Sequence, residues 1–188
     1  MDSPTSSSNP VHLDVKGDGC VILPNSIPPI VVSVFLVSQA SIVLRRRFDS
    51  SKRLRLTADE NPVAVGILLR VFHYLDPAVP PGEMTPELLA QIANLCLEWQ
   101  CLPALGPYPR RWMAAASENS SSWLEQWPGW LKIGKGFGRK DITDMVIEHQ
   151  AGRWWTDLAF ADLENLKEVV EPRLIGKYIT GLLLVHFC

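Results

Sequence analysis

The chain has 188 residues, 47% of them hydrophobic and 20% charged, and its 18 basic and 20 acidic side chains leave a formal charge of −2. That length suits one domain, or one domain with an appendage, around a single core. The balanced charge excludes a global field towards nucleic acid or acidic lipid, so either function needs a local patch.

Residues 1–10 have neither the basic nor the apolar region of a signal peptide and read as a disordered lead. Val11 to Leu23 predicts strand, turn, strand, with Lys16-Gly17-Asp18-Gly19 between the apolar runs. Ile30 to Val37 is almost wholly β-branched or aromatic and predicts a buried strand paired with Cys20–Leu23. A short helix is expected over Ala40 to Phe48. Gly19 to Leu44 carries no charge and runs into Arg45-Arg46-Arg47, as a membrane span with a basic stop does. Pro24, Pro28 and Pro29 interrupt that run and six polar residues dilute it, so strands about a proline turn are the preferred reading over a span across Ile30 to Leu44. No membrane partner is expected.

Leu54-Arg55-Leu56-Thr57 alternates as a half-exposed strand. Asn61 caps a helix opening at Pro62, with Val65, Leu68, Leu69, Phe72 and Leu75 on one face. After the Pro80-Pro81-Gly82 loop, Thr85-Pro86-Glu87 starts a second helix with the stripe Leu88, Leu89, Ile92, Ala93, Cys96 and Leu97. A further helix is expected from Pro103 towards Met113, bent or delayed by Gly106, Pro107 and Pro109. Ser117 to Ser122 reads as a polar linker. Trp123 to Gln150 predicts one or two helices, Asp141 capping a stretch in which Ile142, Met145, Val146 and His149 share a face. Leu158 to Phe187 keeps helical spacing through Leu163, Leu166, Val169, Val170 and Leu174, broken at Pro172.

This order resembles a BTB/POZ domain, and several phrases resemble the fungal members of that family. Gly17-Asp18-Gly19-Cys20-Val21-Ile22-Leu23 is similar to the family's first strand. Phe35-Leu36-Val37-Ser38 and Ala40 to Phe48 are similar to its first helices, and Leu54 to Asp59 with Pro62, Leu68-Leu69, Phe72 and His73 to its third strand and following helix. Thr85 to Leu89, Trp99-Gln100-Cys101, Ala104-Leu105 and Trp112 continue the likeness. It covers Val11 to Ala116 and, more loosely, the chain through Ile147. The resemblance implies an α+β fold: a BTB/POZ-like three-stranded sheet capped by a helical cluster over 11–116, with an all-helical extension over 123–188. It also implies an adaptor or scaffold with protein partners, homodimers and cullin-type ubiquitin ligases among them. Between Phe35 and Ser41 the chain reads about one and a half turns shorter than the family. The homodimer contacts of the first helix therefore do not carry over, and the surface of Leu68, Leu69 and Phe72 is expected to be poorly covered unless the tryptophan-bearing tail packs against the gap.

No phrase carries enzyme chemistry. Cys20, Cys96, Cys101 and Cys188 are too few and scattered for a secreted disulfide framework, so an intracellular setting, cytoplasm or nucleus, is expected. Cys96 and Cys101 lack zinc-knuckle spacing and read as core thiols. Gly134-Lys135-Gly136-Phe137-Gly138-Arg139-Lys140 lacks the strand and the pattern of a phosphate cradle and reads as a joint between helices. His12, His73, His149 and His186 are scattered, His73 reading as a core-edge residue and His149 as solvated. No catalytic residue, cofactor or metal site is expected. The candidate partner-binding residues are Val11 and Leu13 on the first strand, Arg45, Arg46 and Arg47 in the basic cluster, and Trp123 and Trp127, although the spacing of Trp123, Trp127 and Trp130 favours a core-facing stripe. A different class of function remains open: a small nucleic-acid-associated regulatory factor using the basic clusters at 45–55 and 132–140.

Overall fold

The computed structural model describes residues 9–24, 27–76, 84–118 and 127–154, and the side chains only as far as His149 in the last stretch. Among these residues the protein is a mixed α/β structure with one four-stranded sheet and seven α-helices. The strands are β1 (Val11–His12), β2 (Gly19–Ile22), β3 (Ile30–Val32) and β4 (Arg53–Arg55), in spatial order β1-β3-β2-β4. The resemblance implied a three-stranded sheet, whereas the residue pattern already placed a first strand near Val11; it joins the sheet as β1 because Val11 and Leu13 donate their N–H groups to the Pro29 and Val31 carbonyls, laying the segment parallel to β3. β2 pairs antiparallel with β3, as expected, and parallel with β4. With Val21 opposite both Ile30 and Leu54, the period of two puts Val21, Ile30, Val32 and Leu54 on one buried face.

The chain between β3 and β4 departs most from expectation. β3 stops at Val32 rather than Val37, because the Ser33 hydroxyl accepts the Leu36 N–H and starts helix α1 (Val34–Ala40) inside the β-branched run. The expected single helix over Ala40 to Phe48 is a second one, α2 (Ile42–Arg47). Ser41 is the hinge between them. Extended at φ −148°, it gives its N–H to the Val37 carbonyl to close α1, and its Oγ accepts the Leu44 N–H at 3.0 Å to open α2. The same hydroxyl donates to the Trp99 carbonyl, locking the hinge to the fourth helix. A helix pair therefore stands where a single helix was expected, with α1 seven residues long. Leu68 and Leu69 are fully buried and Phe72 nearly so, and α1 is among the elements packed on α3.

Helix α3 (Pro62–Phe72) begins as expected, with the Asn61 side chain accepting from Val63 and Ala64, and ends at the His73 cap, short of Leu75. Helix α4 (Pro86–Trp99) is capped by Thr85, whose hydroxyl accepts the Leu88 N–H at 3.2 Å, and closes with Gln100 left-handed at φ 53°. The region expected as one helix from Pro103 divides into a 3₁₀ turn (Leu102–Leu105) and α5 (Tyr108–Glu118), separated by Gly106 at φ 53°. Ser117 lies in α5, so that helix runs into the expected linker. Two helices follow, α6 (Trp127–Gly136) and α7 (Lys140–Trp154). Asp141 is not the cap but sits in the first turn of α7, and Met145 is exposed while Ile142 and Val146 are buried. The helix expected over Leu158 to Phe187 lies outside the described residues.

α4 is the spine of the structure, contacting α2, α3, α5 and α6. Buried apolar residues from Val21 in β2 to Ile147 in α7 form one continuous cluster. At about 25 cal/mol per Å² of apolar surface removed from water, such a cluster supplies the main stabilising term.

Candidate interaction surface

The interior polar groups act as joints. Glu60, 4% exposed, stands where the chain leaves β4 for α3. Arg47 reaches it with both terminal nitrogens, at 2.7 Å to Oε1 and 3.0 Å to Oε2. The Thr57 N–H and hydroxyl donate to Oε2, and the Trp99 indole N–H donates to Oε1 at 3.0 Å. Burial pushes this carboxyl up, but Arg47, the Thr57 backbone and Trp99 outweigh it and hold it at about 2. An ionised carboxylate with its lone pairs so occupied ties α2, the β4–α3 loop and α4 together. No cue in the sequence separates Glu60 from its exposed neighbour Asp59.

His73 is a second joint. It is buried at the core edge, as expected, with Nε2 accepting the Ser33 N–H at 2.9 Å and Nδ1 facing the Leu69 carbonyl at 2.7 Å. These partners assign the proton to Nδ1 and clip the end of α3 to the start of α1. His149 is half-buried rather than solvated. Cys96 and Cys101 are buried free thiols, as expected; their mutual contact and then burial push Cys96 up, away from a reactive thiolate.

Of the glycine-rich segment expected as a joint, Gly134 to Gly136 belong to α6 and Lys140 to α7, so the joint is only Phe137 to Arg139. A Cβ on Gly136 would lie 2.3 Å from the Ala93 carbonyl oxygen, so its bare backbone lets α6 press against α4. Gly138, at φ 65°, makes the turn into α7, and Arg139 is held by Asp141 at 2.6 Å.

The two edges of the sheet differ. On β4, Arg53 exchanges backbone and side-chain hydrogen bonds with Asp49, and the Arg55 carbonyl accepts from Arg47 at 3.1 Å, so the chain's own turn closes that edge. β1 is the other edge, with no strand beyond it among the described residues. Val11 there is 49% exposed, and Val15, in the loop that follows, is 93% exposed. Because β1 and β3 are parallel and α1 follows β3 directly, the end of β1 and the start of α1 lie at the same end of the sheet. Phe35, in the first turn of α1, is 67% exposed. Sequence reasoning missed Phe35 because it placed the residue in a buried strand.

The other candidates divide. Leu13 packs half-buried against the core beside Val11. Arg45 and Arg46 are exposed, and so are Arg53 and Arg55, whereas Arg47 is committed to Glu60 and Lys52 is bridged to Asp18 at 2.7 Å. Trp127 is buried in the core with Trp130, so its ring offers no surface. Trp123 lies outside the described residues. A cleft of about 860 Å³ between the Thr57–Pro62 loop, α4 and α6 was not anticipated; Asp59, Glu87 and Glu98 line it opposite Lys132 and Lys135.

Among the described residues, no group of three or more histidine, cysteine or acidic side chains could hold a metal, and no helix is long and apolar enough to cross a membrane. The Ile30–Leu44 stretch is divided among β3, α1 and the start of α2. No protein-family model matches the chain, and no curated protein matches it.

Proposed function

We propose that this chain is a non-catalytic protein–protein interaction module of the BTB/POZ type, an adaptor or scaffold that takes its partner at the β1–α1 end of the sheet. The supporting observation is that Val11 on the open edge strand, Val15 in the loop after it and Phe35 in the first turn of α1 are all exposed, while the opposite edge is closed by its own turn. Aromatic and aliphatic side chains presented this way supply the buried centre of an interface. The order of β2, β3, a short helix pair, β4, α3 and the capped α4 follows the order that the resemblance implies. A second copy of the chain is the first partner to test, because α1, though short, is formed beside the open edge strand. A cullin-type ligase is the next, on the resemblance alone.

The test compares the wild-type chain with Phe35→Asp by light scattering and by affinity capture from cells. Phe35 is largely exposed, so the variant is expected to melt like the wild type while losing self-association or its specific partner. Association indifferent to Phe35→Asp, or a folded wild-type chain that is monomeric and recovers no specific protein, overturns the proposal.

A second reading rests on Arg45, Arg46, Arg53 and Arg55, which are exposed and for which the described residues supply no ion pair. A nucleic-acid-associated factor using them would show retention on DNA or RNA that falls steeply with salt. Absence of binding at low ionic strength removes that reading.

A further inference from the structure

Three acceptors seat the start of α1, and one of them changes its chemistry with pH. The Ser33 N–H donates to His73 Nε2 at 2.9 Å, the Val34 N–H to Asp18 Oδ1 at 2.9 Å and the Leu36 N–H to the Ser33 hydroxyl. Lys52, bonded to Asp18 at 2.7 Å, holds that carboxyl below its ordinary value, so it remains an acceptor in mild acid. His73 accepts only while Nε2 carries no proton. A proton arriving there from solvent puts an N–H where the Ser33 N–H already points, and two donors then oppose each other. The ring keeps its other contact. Its Nδ1–H stays on the Leu69 carbonyl, 2.7 Å away, at the negative end of the α3 dipole, which attracts a cation. The contact that yields is therefore the one to Ser33. With His73 8% exposed, the new N–H reaches water only if the first turn of α1 moves aside.

We propose that His73 is a pH switch on α1, releasing the start of the helix in mild acid and weakening association through Phe35, a role that rests on the β1–α1 end being the partner surface. Phe35 stands in that first turn and is 67% exposed, so little besides the turn itself fixes its ring. The seat is complete at neutral pH and is lost as pH falls, because only the neutral imidazole accepts. The other ionisable groups on the elements packed here are engaged elsewhere. α1 and the 3₁₀ turn that packs on α3 contribute none. From α4, Glu87 and Glu98 line the cleft towards α6, and Cys96 contacts Cys101. On α3, Arg70 gives its Nε to the Asp76 carbonyl at 2.6 Å, and Tyr74 beyond it is exposed. His12, paired with Val31 and exposed on β1, is a second imidazole at the sheet edge.

The test follows the full-length chain by amide hydrogen exchange and by sedimentation at about pH 7.5 and about pH 5.5, which bracket the ordinary imidazole value of about 6.5. After correction for intrinsic rates, the amides from Ser33 to Val37 are expected to lose about tenfold or more of their protection at the lower pH, with the associated species dissociating. His73→Gln, whose side-chain oxygen can accept the Ser33 N–H without titrating, should keep both at either pH, while any response owed to His12 persists in it. Exchange in α1 that does not change with pH, or that changes equally in the two chains, overturns the switch. So does an association that Phe35→Asp abolishes at the higher pH but that the wild type keeps undiminished at the lower, an outcome that leaves the surface reading intact. Association that is absent, or indifferent to Phe35→Asp, overturns the surface reading and with it the effect on binding. If His73→Gln fails to fold, the wild-type chain decides by NMR: the His73 ring and the Ser33 amide must shift with one midpoint, and separate midpoints overturn the proposal.

Discussion

Glu60 accepts five hydrogen bonds, from Arg47, Thr57 and Trp99, and this is why an acidic side chain survives in the interior. Its carboxyl is held at about 2, below the ordinary 4.5, so the folded state favours the ionised form. The stability it contributes is complete above pH 4.5 and is lost as pH falls through about 2, because protonation then breaks the same contacts in the folded chain. A shift of this size corresponds to about 3 kcal/mol. Denaturant melts from pH 2.5 to 7 should show the wild type weakening across that window, while Glu60→Gln starts less stable at pH 7 and falls less steeply. Equal slopes for the two chains would show that Glu60 does not carry the acid sensitivity.

Among the helices, α4 and α6 come close enough that one position decides their spacing. Gly136→Ala would put a methyl 2.3 Å from the Ala93 carbonyl oxygen, a backbone atom that cannot swing aside. Overpacking of this kind costs about 1–3 kcal/mol. Gly66, inside α3, has no atom within 4 Å of where its Cβ would stand, so Gly66→Ala should stabilise by about 0.5–1 kcal/mol through helix propensity. Opposite signs in parallel thermal melts are the expected result, and a neutral Gly136→Ala would mean that α6 is not pressed against α4. The helix starts at Asn61-Pro62 and Thr85-Pro86 were legible in the sequence because cap and proline act locally. The α1–α2 pair was not. Ile30 to Val37 has strand propensity throughout, and the Ser33 cap, whose N–H is held by the distant His73, together with Ser41 tied to the Trp99 carbonyl, overrides it.

Over the whole molecule, the buried cluster does not stop at the end of α5. Trp127, Trp130, Leu131, Ile133 and Phe137 belong to it, with α6 lying against α4. Each large side chain so buried contributes about 1.5–3 kcal/mol, against a typical net stability of about 5–15 kcal/mol. A chain ending at Glu118 should therefore aggregate or melt well below the full-length protein. One that melted unchanged would make α6 and α7 a separate module. The expected role of this region as structural rests here on the face of α4, not on a gap beside α1.

The sequence by itself determined which segments form the capped helices α3 and α4, the pairing of β2 with β3, the core placement of Cys96 and Cys101, and the turn at Gly138, because caps, prolines, glycines and hydrophobic period act over a few residues. Only the tertiary structure decided that Glu60 rather than Asp59 is buried, that Arg47 leaves the solvated basic cluster and that Phe35 faces outward, whereas the spacing of Trp127 and Trp130 already favoured a core-facing stripe. The first two depend on partners far along the chain, Trp99 for Glu60 and Glu60 for Arg47, and neither local propensity nor spacing contains the position of such a partner.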